Sequence, residues 1–387
     1  MNIVPYLDET DLALYESLAH REFLTSVDPR SLSQSAAVKH YEVFYPTKDW
    51  LFLHEAAVTF FEGRLFAAWY NCPETELVGR SAIRFSESAD GGKTWTEPKT
   101  VADDASGSIL YCPPVFGEED GKLYLFLNEM VAADHMHALD LYVYDEAADA
   151  FTLLWSRPLP FKLNTNAVTL ANGKKMLPGR IAELDGFPNT PAVLIADGSI
   201  TGDWRLVKIA QNGDLPDGTH LIHPELTAIA AGERVYMFSR DDMRRVPLVY
   251  ISEDNGETWS KPLSHDIPFT SSKIYGGTLA DGRHYLTGNI LYDCGRTKLA
   301  LFLTGKDGMT FDTAFLLQDG VSAQFGYGDA WHYPAACEHD GKLFILYTAN
   351  VDGQNHRGAV LSVVDLASQY NESFRPPFSK GGEVKGE

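Results

Sequence analysis

The sequence predicts an all-β fold, a six-bladed β-propeller with four-stranded blades. One observation behind this prediction is a segment that recurs six times, at steps of 50 to 59 residues. Another is the turn pattern Ser-x-Asp-x-Gly-x-Thr-Trp, which occurs twice at the same phase of the repeat. A step of this length is too long for one hairpin and fits four short strands. Radial repetition of four-stranded sheets protects the strand edges of an all-β chain of this size.

Each copy of the segment consists of an apolar run, a glycine turn and a second apolar run, which is the pattern of a β-hairpin. The six turn glycines are Gly63, Gly121, Gly173, Gly232, Gly282 and Gly341. Each unit continues with a second pair of strands. Counting nine residues back from each glycine predicts that the first strands begin near residues 54, 112, 164, 223, 273 and 332.

The complete turn patterns run from Ser88 to Trp95 and from Ser252 to Trp259. In such a turn the Asp carboxylate and the hydroxyl groups accept hydrogen bonds from turn amides, and glycine adopts a positive φ. The tryptophan then packs under the turn between blades. The pattern predicts a structural role for these turns.

Composition excludes several classes of protein. The chain has 387 residues, 44% of them hydrophobic, and a net charge of -21 that repels nucleic acid and anionic membranes. No apolar stretch approaches the roughly 20 residues that span a bilayer, and the acidic N-terminal segment does not resemble a signal peptide. We therefore expect a cytoplasmic protein with no nucleic-acid or membrane partner. We also expect one propeller domain over residues 1–387, with a leading arm over 1–35, helical around 12–20, and six blades over about 50–370.

Four widely spaced cysteines, at positions 72, 112, 294 and 337, form no CxxC pair. The segment Asp134-His135-Met136-His137 contains metal-binding residue types but lacks partners at a suitable spacing, so it is interpreted as a surface loop. The sequence thus predicts no disulfide framework, no metal site and no cofactor.

Antiparallel pairing places the start of each first strand and the end of each second strand on one face of the propeller. Polar residues collect at these positions, which suggests a ligand site. The candidate catalytic residues are His54, His223, Glu225, Tyr333 and Arg240. The candidate substrate-binding residues are Arg180, Lys273, Tyr275, Asn164, Asn166, Asn289, Asn128, Trp331 and His332.

The two turns resemble the Asp-box, or bacterial neuraminidase repeat, of sialidase-like propellers, and the resemblance covers about residues 50–370. Glu225 and the strand ending in Arg240 resemble the glutamate and one carboxylate-binding arginine of sialidases. Tyr333 in the segment HYPAA resembles their nucleophilic tyrosine. His54 stands where sialidases have an arginine on the first inner strand.

A second resemblance concerns the segments HEAAVTFFEGRLFAAWYNCPETELVGR, SSKIYGGTLADGRHYLTGN and WHYPAACEHDGKLFILYTAN. They are similar to propeller enzymes that cleave rhamnose-to-glucuronic-acid linkages and to the related ulvan lyases. In those enzymes a first-blade histidine acts in catalysis, which corresponds to His54. They usually have seven blades, which makes seven the alternative to six.

The resemblances imply a carbohydrate-active enzyme. The leading hypothesis is an exo-acting glycoside hydrolase that removes a terminal sugar from small oligosaccharides, with linkages to uronic acids as one candidate. A lyase that cleaves beside a uronic acid by β-elimination, a sialidase and a non-catalytic sugar-binding propeller remain as alternatives. An oligosaccharide is the expected partner, and the oligomeric state stays open.

Overall fold

Six antiparallel sheets of four or five strands make up the fold, as the computed structural model of the chain shows. The structure describes residues 6–20, 24–184, 187–210, 215–240, 245–291, 295–306 and 308–368. The prediction of a six-bladed all-β propeller is therefore confirmed, and the alternative of seven blades is wrong. The ends of the expected domain, residues 1–5 and 369–387, and the cysteine at position 294 lie outside the described residues.

The first three blades follow one another along the chain, and the first strand of each is the innermost. Blade 1 contains β3 (Phe52–Phe61), β4 (Arg64–Cys72), β5 (Ala82–Ser88) and β6 (Lys99–Asp103). Blade 2 contains β7 (Leu110–Glu119), β8 (Lys122–Ala132), β9 (His135–Asp145) and β10 (Ala150–Arg157). Blade 3 contains β11 (Phe161–Leu163), β12 (Val168–Thr169), β13 (Lys175–Leu184), β14 (Phe187–Ala196) and β15 (Trp204–Lys208).

Two of the remaining blades receive a strand from the N-terminal part of the chain. Blade 4 contains β16 (Leu226–Ala231), β17 (Arg234–Ser239), β18 (Leu248–Ser252), β19 (Leu263–Ser264) and, parallel to it, β1 (Ala19–His20). Blade 5 contains β20 (Tyr275–Thr278), β21 (His284–Asn289), β22 (Lys298–Thr304) and β23 (Phe311–Asp319). Blade 6 contains β24 (Trp331–His339), β25 (Lys342–Asn350), β26 (Arg357–Asp365) and β2 (Lys39–Phe44).

Blade 6 closes the ring by joining both ends of the fold. Its outer strand β2 pairs antiparallel with β26, so residues near position 40 lie beside residues near position 360. Before β2, the helix α1 (Glu9–Ser17) begins at Asp8, whose side chain accepts hydrogen bonds from the amides of residues 10 and 11. This helix packs Leu14 and Tyr15 against apolar residues of blade 4. A short 3-10 helix (Pro29–Ser31) follows.

The two Asp-box turns have the structural role that the sequence predicts. In the first, Asp90 accepts hydrogen bonds from the backbone amides of Lys93 and Thr94 at 3.0 Å, and these bonds help to lower the pKa of Asp90 to about 2. The indole of Trp95 donates to the carbonyl of Gly92 and packs in a core cluster that spans blades 1 and 6. Each turn therefore helps to fix one blade against its neighbour.

Three of the inner strands carry a β-bulge at the same level. The pairing register shifts between His54 and Ala57 in β3, between residues 111 and 114 in β7, and between His332 and Ala335 in β24. Glu55 and Tyr333 lie inside two of these bulges and have positive φ angles of 45° and 49°. Such bulges redirect side chains and are frequent beside functional sites.

Candidate functional site

A cavity of about 330 Å³ lies where the inner strands begin, and we call it the central cavity. Its volume is at the lower end of the range for small-molecule sites. Six of the residues that the sequence selects line it: His54, Arg180, His223, Glu225, Arg240 and Tyr333. The structure therefore brings the five candidate catalytic residues and one candidate binding residue together. The register argument selects all of them except Tyr333, which family resemblance selects.

Tyr333, Arg240 and Glu225 form one polar network. Nη1 of Arg240 donates to Oε2 of Glu225 at 2.5 Å and to Oη of Tyr333 at 2.6 Å. Burial opposes ionisation of Glu225, but Arg240, Lys273 and Arg180 outweigh it and lower the pKa of Glu225 to about 2. Burial, followed by the charge of Glu225, raises the pKa of Tyr333. At neutral pH the network holds a carboxylate, a guanidinium and a neutral phenol.

The bulge residues bring a second ion pair to this region. Oε2 of Glu55 accepts a hydrogen bond from Nζ of Lys273 at 2.9 Å, and both side chains are buried. Nζ of Lys273 also lies 5.5 Å from the ring centroid of Tyr333. Lys273 does not line the central cavity; it lines a narrower cavity that adjoins the central one at Glu55.

His54 packs against the same tyrosine. The ring centroids of His54 and Tyr333 are 4.2 Å apart at an interplanar angle of 33°, and Nδ1 of His54 lies 3.3 Å from Oγ1 of Thr348. Burial, followed by the nearby cations, lowers the pKa of His54 well below 6.5. At neutral pH its imidazole is uncharged.

Two further arginines, Arg296 and Arg357, line the cavity. Arg296 donates from Nη1 to Nδ1 of His332 at 2.9 Å, and its guanidinium lies 5.3 Å from the ring centroid of Tyr333. The guanidinium of Arg357 lies 4.5 Å from the ring centroid of Phe52. Among the described residues, no carboxylate lies within 4.0 Å of either guanidinium. Neither arginine is therefore held in an ion pair, although the charge of Glu76 acts on Arg357.

On the other side, Asp134 joins three basic side chains. Its Oδ1 accepts from Nζ of Lys162 at 2.7 Å and from Nη2 of Arg180 at 2.9 Å. Its Oδ2 lies 3.5 Å from Nε2 of His223. Burial opposes ionisation of Asp134, but these three partners hold the pKa of its carboxyl well below its usual range. Asp134 lies in a hairpin turn at the surface, and its carboxylate faces the cavity, whereas residues 135 and 137 are exposed on β9.

A fourth carboxylate, Glu76, lies at the exposed edge of the cavity. It follows β4 in the loop before β5, and Oε1 accepts a hydrogen bond from the hydroxyl of Tyr70 at 3.0 Å. Its position differs from that of Glu55, Asp134 and Glu225, each of which is bound to a cation. Among the described residues, Glu76 is thus a lining carboxylate that forms no ion pair.

None of the four candidate asparagines lines the central cavity, and their amides connect blades; Asn164 and Asn166 line a narrower cavity that adjoins it. Asn128 bonds the backbone of Phe161 and Leu163, and Asn289 donates to the carbonyl of Trp331. Asn164 accepts from the amide of residue 226, and Asn166 accepts from that of residue 116 and donates to the carbonyl of residue 58. These amides therefore join neighbouring blades through hydrogen bonds to the backbone.

Three other candidate binding residues are also outside the cavity lining. Trp331 is fully buried, and its indole donates to the carbonyl of Gly320 at 3.0 Å, so it offers no face to a sugar. Tyr275 lines a narrower cavity that adjoins the first at Glu55. His332 is buried between Arg296 and Asn350, where it supports Arg296.

Sequence reasoning did not select several cavity residues: Glu55, Glu76, Asp134, Lys162, Arg296 and Arg357. Arg296 and Arg357 precede or begin a third strand, which starts on the same face as the first strand in an antiparallel blade. The position of a basic residue at the start of a third strand is visible in the sequence and could have selected these two arginines. Within the described residues, no three His, Cys, Asp or Glu side chains come together in a way that could hold a metal ion.

Fold and site together define a β-propeller with a charged cavity at the start of its inner strands. The chain belongs to the BNR repeat-like domain family, whose profile matches residues 63–345. No curated protein is significantly similar to it in sequence.

Solved structures similar to the chain include a Dyadobacter fermentans protein of unknown function, with a TM-score of 0.67 and 15% identity over 85% of this chain and 99% of that one. The Hadza microbial sialidase Hz136 has a TM-score of 0.68 and 13% identity over 85% of this chain and 69% of that one. A Trypanosoma rangeli sialidase structure containing a covalent intermediate has a TM-score of 0.67 and 15% identity over 88% of this chain and 60% of that one. The TM-scores show a shared fold, and at identities of 13 to 15% the comparison shows the fold alone.

Proposed function

We propose that the protein is an exo-acting glycoside hydrolase that removes a terminal acidic sugar from small oligosaccharides. The observation that carries the proposal is the network of Tyr333, Arg240 and ionised Glu225 in a cavity that also holds two arginines without a carboxylate partner. The family and the two sialidases of the same fold support the hydrolase class.

Arg296 and Arg357 bind the acidic group of the sugar. A guanidinium presents parallel N–H donors that match a carboxylate, and both arginines are half-buried, which reduces the screening by water. The net charge of -21 on the whole chain opposes an anionic ligand at long range. At physiological salt that field is screened within about 8 to 10 Å, so the arginines dominate inside the cavity.

Tyr333 acts as the nucleophile at the anomeric carbon, the role that tyrosine has in sialidase-type hydrolysis. Because burial raises the pKa of Tyr333, its phenol loses its proton only as the new C–O bond forms. Glu225, which shares Nη1 of Arg240 with the phenol, is the carboxylate that takes this proton. Arg240 contacts both oxygens and holds them in position. Glu76, at the exposed edge, protonates the leaving oxygen and later activates water.

A specific observation favours β-elimination as the second candidate. Neutral His54 lies against Tyr333 and near Arg357, so a base and a cation meet in one place. Removing the C5 proton of a uronic acid needs a base and a cation that neutralises the carboxylate. The same cavity could therefore break the linkage without water.

The two reactions differ in their products. The purified protein should be incubated with aryl glycosides of glucuronic and sialic acid and with uronate-containing oligosaccharides. Hydrolysis releases a reducing sugar, whereas elimination gives an unsaturated product that absorbs ultraviolet light. Preference for sialosides over glucuronides would identify a sialidase.

Tyr333→Phe is the decisive variant, with Asn128→Ala as a matched control outside the cavity. We expect Tyr333→Phe to lower kcat by about 10²- to 10⁴-fold and Asn128→Ala to leave it unchanged. If the protein binds oligosaccharide without forming either product, and wild type and Tyr333→Phe bind it with equal affinity, the protein is a non-catalytic sugar-binding propeller.

A further inference from the structure

Two basic side chains lie directly opposite each other on neighbouring strands of blade 3. Lys162 in β11 pairs in register with Arg180 in β13, and their side chains are only 8% and 3% exposed. Like charges at facing positions of an antiparallel pair repel each other, and burial strengthens the repulsion. This arrangement requires an anion between them.

In the structure that anion is the carboxylate of Asp134. It comes from a different blade, at the turn between β8 and β9, where its φ is 62°. Its side chain is 31% exposed, far more than the two cations that it contacts. The counter-ion thus belongs to a hairpin turn at the edge of the cavity, whereas the cations belong to the inner strands.

Asp134 leaves part of the hydrogen-bonding capacity of this cluster unused. Nε and Nη1 of Arg180 are buried without a hydrogen-bond partner, although the residue is 2% exposed. A guanidinium has five N–H donors, and buried donors are rarely left unpaired in folded proteins. The basic cluster can therefore take an anion with more acceptor atoms in reach than one turn carboxylate supplies.

We propose that Lys162, Arg180 and His223 form a second anion subsite. This subsite binds the carboxylate of the sugar that adjoins the released terminal sugar. Asp134 occupies this subsite until the substrate displaces it. The proposal rests on the proposed function, in which Arg296 and Arg357 bind the acidic group of the terminal sugar. The substrate is then an oligosaccharide with acidic groups on two adjacent sugars.

Displacement is compatible with the fold. Asp134 lies in a turn outside the strand ladder, so its side chain can leave the cations without breaking the pairing of β8 with β9. The incoming carboxylate replaces one negative charge by another, and the buried cations keep a counter-ion throughout. Selectivity follows, because a neutral sugar at this position cannot replace Asp134.

Inorganic sulfate tests the subsite without any need for turnover. In calorimetric titration with sodium sulfate at low ionic strength, Asp134→Asn should bind sulfate at least tenfold more tightly than the wild type. Adding Arg180→Gln should abolish this gain, and adding Arg357→Gln should preserve it. Equal affinity in the wild type and Asp134→Asn, or a gain that depends on Arg357 and survives Arg180→Gln, would overturn the proposal.

If Asp134→Asn does not fold, Asp134→Gly provides the same test, since glycine suits a φ of 62° at no steric cost. The sulfate result is independent of the hydrolase proposal. If the protein is a hydrolase but its Asp134 variants bind sulfate no more tightly than the wild type, the proposed function stands and the second subsite is rejected. If the protein has no hydrolytic activity but its Asp134 variants bind sulfate more tightly, the anion subsite stands and the proposed function is rejected.

Discussion

Glu225→Gln should destabilise the protein in a way that depends on pH. Glu225 is 4% exposed and forms an ion pair with Arg240 at 2.5 Å. The lowering of its pKa from 4.5 to about 2 corresponds to about 3 kcal/mol of folding free energy. This agrees with the roughly 3 to 5 kcal/mol lost when one partner of a buried ion pair is removed. Because the pKa is lower in the folded state, the stabilisation is complete above about pH 4.5 and is lost as the pH falls towards 2.

Urea denaturation followed by tryptophan fluorescence measures this effect. At pH 7 the free energy of unfolding of Glu225→Gln should be about 3 kcal/mol below that of the wild type, and the gap should narrow as the pH falls below 4.5. Asp28→Asn is the matched control, because its ion pair with Arg30 is exposed and should contribute little. A loss below about 1 kcal/mol at pH 7, as for a surface pair, would refute the reasoning.

Three other variants separate catalysis, binding and structure. Tyr333→Phe should lower kcat by about 10²- to 10⁴-fold with little loss of stability, because Arg240 keeps its bond to Glu225; unchanged turnover on a confirmed substrate would exclude the tyrosine as nucleophile. Arg357→Gln should raise KM for acidic sugars by the equivalent of about 1.5 to 3 kcal/mol and spare neutral ones, and equal losses on both would contradict a carboxylate site. Asn128→Ala should lower the free energy of unfolding by about 1 to 3 kcal/mol with KM unchanged, as denaturation and kinetics can show.

The blade pattern was predictable because it depends on local turn chemistry that repeats. Hairpin glycines such as Gly63 and Gly341 adopt positive φ in the structure, and the inner strands begin within three residues of the predicted positions. Two Asp-box turns with the same hydrogen bonds fix the phase of the repeat. Regularity of this kind can be read from spacing alone.

The cavity lining was harder to predict because the inner strands are irregular. A side-chain period of two would place residues 56 and 334 beside His54 and His332, but the bulges in β3 and β24 interrupt that alternation. Glu55 and Tyr333 reach the site through positive φ angles that the sequence does not reveal. Tyr333 was selected by family resemblance, and Glu55 had no such support.

The contacts between side chains of different blades could not be predicted from the sequence either. Asp134 of blade 2 forms ion pairs with Lys162 and Arg180 of blade 3. Neither spacing nor periodicity in the sequence relates a hairpin turn to a strand of the next repeat. The same limit applies to the candidate asparagines. Polar residues at strand ends can face a ligand or connect blades, and only the three-dimensional contacts distinguish the two.

The pairing of β2 with β26 has a consequence for how the protein folds. More than 300 residues separate these strands in the chain, so their contact is among the last that a growing polypeptide can make. Blade 6 also supplies Tyr333 and Arg357 to the cavity. A ribosome-bound chain that has completed five blades therefore has no assembled site, and activity should appear only after the ring closes. Refolding experiments should accordingly show recovery of turnover on the slowest phase, together with protection of the β2 amides from hydrogen exchange.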